Sequence, residues 1–143
     1  MSAPEFREFP KIARWNRDCI ITEKIDGTNG VLYIDDEATL VLSGSRKRWL
    51  DSTHDNSGFC KWAEENAREL LKLGPGYHHG EWWGPGIQRG YGLKEKHFSL
   101  FNVRKWEDPS VRPKCCDIVP VLWRGSAQDL GPAIDRCLVR LDQ

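Results

Sequence analysis

The run Glu23-Lys24-Ile25-Asp26-Gly27-Thr28-Asn29-Gly30 sits between two β-branched, apolar stretches, Cys19-Ile20-Ile21-Thr22 and Val31-Leu32-Tyr33-Ile34. Each flank reads as a strand, because such side chains fit a pleated, half-buried surface. The run between them is then a short polar crossing, with Lys24 at a strand end entering a turn. Asp35-Asp36-Glu37 makes another turn before Thr39 to Leu42, so residues 19–43 are expected to form a β-meander.

Further along, Ser43 to Arg48 is short, basic and without periodicity, which predicts a loop. Phe59, Trp62, Ala63, Asn66, Leu70 and Leu73 recur at helical spacing. They predict a helix over 59–73, capped by Asn56 or Ser57 and stopped by Gly74-Pro75. Tyr77 to Trp83, His97 to Val103 and Ile118 to Trp123 read as strands, the second with one buried face. A glycine-rich loop follows Trp83 as far as Gly92, and residues 108–117 read as a connection. Ser126 to Asp129 resembles a capping box before an amphipathic helix over Pro132 to Leu141.

A chain of 143 residues can bury one core, so a single domain over 1–143 is expected. Acidic and basic residues balance at 21 each, which leaves no global field to attract a nucleic acid; a local basic face has to be argued from its own residues. No apolar run approaches a membrane span and the first residues lack a secretory signal, so a cytoplasmic protein is expected. The five cysteines are odd in number and show no C-x-x-C spacing, which fits reduced thiols. Cys115-Cys116-Asp117 contains half of a metal set at most, since adjacent side chains usually point apart and no second ligand pair is evident.

Lys24 is the residue with the most chemical scope. An ordinary lysine is only about one part in a thousand neutral at physiological pH, so a nucleophilic one needs burial or nearby cations to favour its amine. Asp26 shares a face with Lys24 if the strand continues, and Gly27 lets a phosphate or ribose approach the backbone. Taken alone, Lys-x-Asp-Gly also fits an exposed hairpin turn. The residues downstream bear on the choice.

Glu23-Lys24-Ile25-Asp26-Gly27-Thr28-Asn29 resembles the nucleophile motif of the ATP-dependent RNA ligases, part of the covalent nucleotidyltransferase superfamily. DNA ligases and capping enzymes usually carry arginine where this chain has Asn29. Ser45-Arg46 resembles the family's second motif, His79-Gly80-Glu81-Trp82-Trp83-Gly84 its third, and Phe98-Ser99-Leu100-Phe101-Asn102-Val103 its fourth. The resemblance covers about Cys19 to Val103. It implies an α+β adenylation domain with antiparallel sheets around an ATP cleft and flanking helices.

It also implies roles. Lys24 would attack the α-phosphate of ATP and hold AMP as a phosphoramide, with Asp26 beside it. Glu23 would accept a hydrogen bond from the adenine amino group. Asn29 and Arg46 would position the nucleotide and the terminal phosphate, and Gly27 would admit it. Glu81 would bind the ribose or assist a metal, and Phe101 would stack on the base. Mg²⁺ is the implied cofactor, and RNA with 5′-phosphate and 3′-hydroxyl ends the implied substrate. Such a site needs positioning and charge neutralisation more than acid or base strength. Read singly, Arg46 with Lys47 and Arg48 is a solvated basic loop, Glu81 a strand-face carboxylate and Phe101 a core residue. In the glycine-rich loop, Arg89, Tyr91, Lys94 and Lys96 are candidates to touch RNA.

The family's last two motifs, a Glu-Gly strand and a Lys-x-Lys strand, have no match after Val103. Lys94-Glu95-Lys96 lies ahead of the fourth motif and so in the wrong place. A partner chain or a further C-terminal segment is expected to complete the site, or else the chain is a nucleotide- or RNA-binding module that lacks the reaction. The absent strands are also expected to leave a sheet edge unpaired unless the last helix covers it.

Overall fold

The computed structural model describes residues 17–141. The first residues, read above for a secretory signal, and Asp142 and Gln143 lie outside them. The contacts divide the chain into two compact units. One is residues 23–120; the other joins the residues before Glu23 to those after Pro120.

The larger unit holds a five-stranded sheet. Its strands are β2 (Thr28–Ile34), β3 (Val41–Gly44), β4 (Gly76–Trp83), β5 (His97–Leu100) and β6 (Cys116–Ile118), in the order β3-β2-β4-β5-β6. All neighbours are antiparallel except β5 and β6, which run parallel. A parallel pair needs a crossover connection, and residues 101–115 provide it. The sheet is thus mixed, not wholly antiparallel as expected.

One face of this sheet carries the core. Leu32, Ile34, Trp82, Phe98 and Leu100 are buried there with Phe59, Ala63, Leu70 and Leu73. Four aromatic rings from Phe59, Trp62, Trp82 and Phe98 pack with centroids 5.0–5.8 Å apart. Rings at that separation gain quadrupole attraction beyond their area burial. Gly30 and Gly80 lie directly opposite each other beneath them. A Cβ at Gly30 would come within 2.8 Å of the Phe59 ring, and one at Gly80 within 2.7 Å of Phe98.

The expected helix over 59–73 is broken. It comprises α1 (Phe59–Glu65), α2 (Ala67–Leu70) and a turn of tighter helix over Leu71–Leu73. The interruption falls at Asn66, whose side-chain amide donates to the Trp62 carbonyl at 2.8 Å, competing with the backbone for that acceptor. Asn56 and Ser57 do not cap α1. Gly58 occupies the cap position with φ of 89°, and the Asp55 carboxylate accepts from the Lys61 N–H instead.

The strand predicted over 97–103 ends at Leu100, and Val103–Trp106 forms the short helix α3. Phe98, Ser99 and Leu100 are all buried, so β5 is covered on both faces and not on one. The strand predicted over 118–123 is really two. Ile118 ends β6, and Val121 starts β7 (Val121–Ser126) in the other unit. There β7 pairs antiparallel with β1 (Asp18–Thr22), so β1 does not join a meander with β2 and β3. Only β2 and β3 form the expected hairpin, which also absorbs Ser43 and Gly44 from the predicted loop. The last helix, α4 (Leu130–Leu141), starts two residues before Pro132. It is preceded by a tight turn in which the Ser126 hydroxyl accepts from the Gln128 N–H at 3.3 Å.

Candidate active site on the open sheet face

The side of the five-stranded sheet away from the core presents Asn29, Val31 and Tyr33 from β2 and Tyr77, His79 and Glu81 from β4. The register sets Asn29 against Glu81, Val31 against His79, and Tyr33 against Tyr77. Directly opposed residues point to the same face, so these six share one surface. A cavity of about 710 Å³ opens over it, walled by Asn29, Arg46, His79 and Phe101 among others.

Lys24 and Asp26 are exposed and flank the buried Ile25, in the extended connection between β1 and β2. The expected continuation of the strand through Lys24 and Asp26 is absent: β1 stops at Thr22 and no ladder runs through them. The Asp26 N–H donates to the Tyr91 hydroxyl at 2.7 Å, which ties this connection to the glycine-rich loop. Glu23 is half-buried, with its N–H donating to the Pro120 carbonyl at 2.9 Å.

Glu81 is the buried carboxylate of the group, 8% exposed. Burial raises its pKa above the ordinary value of 4.5, the Asp26 charge raises it further, and Lys24 opposes both. The two carboxyls and the amine that sequence spacing singled out separately are thus electrostatic neighbours at one end of the open face.

Gly27 has a packing reason to be glycine. A Cβ there would lie 2.5 Å from the Trp82 carbonyl oxygen and 2.8 Å from the Trp83 Cβ. The absence of a side chain lets the Lys24–Asp26 connection settle against β4, beside Glu81. On β2, Asn29 is exposed and its carbonyl accepts from the Asn56 amide at 3.4 Å.

Arg46 is exposed on a tight turn closed by the Ser45 N–H donating to the Arg48 carbonyl at 2.8 Å, just past β3. It reaches the cavity wall with Asn29. Phe101 is 45% exposed at the end of β5, where its N–H donates to the His79 carbonyl at 3.0 Å. The core reading of Phe101 is thereby overturned: the chain turns after Leu100 and leaves the ring at the cavity. Asn29, Arg46 and Phe101 meet at that wall, whereas Glu23, Lys24, Asp26, Gly27 and Glu81 do not line it.

The glycine-rich loop is held by successive turns around the buried Ile87, with Gly84, Ile87 and Gly90 carbonyls accepting in sequence. Lys96 donates to the Ser57 carbonyl at 2.8 Å and so braces the start of α1. Tyr91 packs edge-on against Trp83, and Arg89 lies 5.2 Å over the Tyr91 ring.

Sequence reasoning missed Tyr77, His79 and Trp49 as cavity residues. The alternation of Tyr77 and His79 along β4 was visible, but which face was covered was not, and Trp49 reaches the cavity through its bridge to Gly44. Cys115 and Cys116 do not point apart: their sulfurs are 4.0 Å from each other, because β6 begins only at Cys116. The neighbouring thiol and burial push Cys116 far up. All five cysteines are free. Among the described residues no group of three or more His, Cys, Asp and Glu is placed to hold a metal, and no helix is long and apolar enough to cross a membrane.

A mixed sheet with one face covered by helices and the other open beside a lysine, two carboxylates and an exposed aromatic ring is the architecture of a nucleotidyltransferase-type fold. The chain belongs to the RNA ligase family, whose model matches residues 17–138. The same fold is found in the RNA ligase of Naegleria gruberi. A lysine-to-alanine mutant of that enzyme with ATP and Mn aligns with TM-score 0.57 and 18% identity, covering 82% of this chain and 41% of that one. The ligase with PPi gives 0.59 and 18%, covering 80% and 39%. An aspartate mutant in the apo form gives 0.58 and 21%, covering 82% and 40%. The chain thus spans about two fifths of the length of these ligases. No curated protein sequence matches it significantly.

Proposed function

We propose that this chain carries the nucleotide-binding and nucleophile half of an ATP-dependent RNA ligase, with Lys24 as the residue that becomes adenylylated. The observation that carries the reading is the gathering of Lys24, Asp26 and Glu81 at one end of an open face whose cavity is walled by Asn29, Arg46 and Phe101. In the step proposed, the Lys24 Nζ lone pair attacks the α-phosphorus of ATP and a P–N bond forms. The bond from that phosphorus to the bridging oxygen breaks, its electron pair leaves with pyrophosphate, and the amine gives up a proton.

Each neighbour has a part in that step. A cavity of about 710 Å³ is within the size range of small-ligand sites. Phe101 offers the adenine a face, Glu23 accepts from its amino group, and Glu81 takes the ribose hydroxyl. Arg46 and Asn29 position phosphate oxygens. Glu81 and Asp26 are hard oxygen donors, which suits Mg²⁺, an ion usually held by one or two carboxylates with substrate phosphates completing its shell. When bound, that ion neutralises charge developing on the phosphates. The RNA to be joined would present a 5′-phosphate and a 3′-hydroxyl, and the remaining cationic motif would come from a further segment or a partner chain.

The second reading is a nucleotide- or RNA-binding module of the same lineage without the reaction. It is favoured by one observation: nothing after Val103 matches the Lys-x-Lys strand, so Lys24 and Arg46 face the triphosphate without those lysines. Intact-protein mass after incubation with ATP and Mg²⁺, beside Lys24→Ala, separates the two. A gain of one AMP that disappears in the variant is expected if the chain suffices for the first step. An unchanged mass in folded protein favours the module.

A further inference from the structure

The cavity walled by Asn29 and Phe101 extends past them, and Trp49, Tyr77 and the turn of Arg46 to Arg48 line the same opening. The Tyr33 and Tyr77 row lies four residues along β2 and β4 from the Asn29 and Glu81 row, about 13 Å away at the usual strand rise. There the surface is aromatic. The Tyr33 and Tyr77 ring centroids are 4.9 Å apart, and Trp49 meets Tyr33 edge-on at 6.2 Å. Tyr77 is 63% exposed and Trp49 50% exposed, an unusual state for two large rings in mutual reach of a third. Trp49 is held at this place by a bridge to Gly44.

Immediately before Trp49 comes the turn of Arg46, Lys47 and Arg48, all exposed and none in an ion pair among the described residues. In a chain of zero formal net charge, three consecutive cations joined to exposed rings form a local field of one sign. We propose that this stripe binds an unpaired RNA strand, whose bases stack on Trp49 and Tyr77 while Arg46, Lys47 and Arg48 hold its phosphates. A duplex cannot use the rings, because its bases are already stacked on one another and hidden from a flat aromatic surface. A single strand offers π-faces and charge together, which is what grooves for unpaired nucleic acid exploit. The choice of RNA among polyanions rests on the ligase reading, while the preference for unpaired bases rests on the stripe itself.

The test is fluorescence anisotropy of the full chain with a short labelled oligouridine, and with the same strand annealed into a duplex. ATP is left out, so failure here and failure of Lys24 adenylylation are separate results. The single strand is expected to bind at least about tenfold more tightly than the duplex. Trp49→Ala and Tyr77→Ala should each weaken it by about tenfold or more, with Trp49→Phe and Tyr77→Phe retaining most of the affinity. Lys47→Ala should lower the slope of log affinity against log salt by about one. Val111→Ala, at an exposed apolar residue outside the stripe, should change nothing. Equal or tighter duplex binding, undiminished binding after both rings are removed, or phenylalanine variants as weak as the alanine ones would each overturn the proposal.

Discussion

Gly30 and Gly80 face each other across β2 and β4, and the rings of Phe59 and Phe98 rest on the bare backbone that the pair exposes. Both glycines lie one residue from a candidate site residue, Asn29 and Glu81 respectively. Because strand side chains alternate faces, the flat core beneath and the site above are set by the same register.

Adding a methyl at either glycine overpacks this core. Gly30→Ala is expected to cost about 1–3 kcal/mol of stability, measured by urea denaturation, because Phe59 has to leave its position. Shortening that ring in Gly30→Ala/Phe59→Leu should recover part of the loss. If Gly30→Ala is neutral, the close approach is not a constraint.

Burial of the Glu81 carboxylate is expected to cost stability at neutral pH. Its folded pKa is raised, so the unfolded chain releases the proton first as pH rises above 4.5, and unfolding is favoured from there upward. Glu81→Gln should therefore raise the thermal midpoint at pH 7, and the gain should vanish below the ordinary carboxylate value. The same variant should lose any ATP-dependent mass increase. A midpoint that falls at pH 7 would show that the carboxylate stabilises the fold.

His78 has the opposite sign. It lies on the core face of β4, 6% exposed, and its Nε2–H donates to the Gly74 carbonyl at 2.8 Å. Burial lowers its pKa from 6.5. Its contribution is present above 6.5 and is lost as pH falls from there toward the folded value, since the unfolded chain takes up the proton first. His78→Gln should flatten the dependence of stability on pH just below 6.5, which denaturation midpoints across that range would reveal.

Phe101 separates binding from folding. A ring nearly half exposed contributes little to the core, so Phe101→Ala should change stability by no more than about 0.5 kcal/mol. If the ring stacks on adenine, nucleotide affinity measured by calorimetry should fall about tenfold or more, the usual worth of base stacking. An unaltered affinity would remove Phe101 from the nucleotide site.

Much of the architecture was legible where the local signal and the tertiary environment agree. β4 was read within one residue of its observed start, since its aromatic ends mark it and His78, Gly80 and Trp82 are buried along one face. The helix after Phe59 was legible as a pattern but not as a break, because the competing hydrogen bond of Asn66 is a side-chain choice that periodicity does not register. The strand over 118–123 was misread as one element because a continuous apolar run does not reveal that its halves enter different sheets.

The sequence by itself determined the strand types and the order of the candidate motifs, because alternation, β-branching and the placing of charged residues are local properties of the chain. It also carried the likeness to RNA ligases, a likeness that the family match bears out. Only the tertiary structure decided which residues meet. Residues 24 and 81 become electrostatic neighbours through the pairing of β2 with β4, and Phe101 comes to the cavity because the chain turns after Leu100. The aromatic and basic stripe of Trp49, Tyr33, Tyr77 and the Arg46–Arg48 turn likewise exists only once register places distant residues on one uncovered face. Such pairings span tens of residues, and no local pattern encodes the face that packing will leave open.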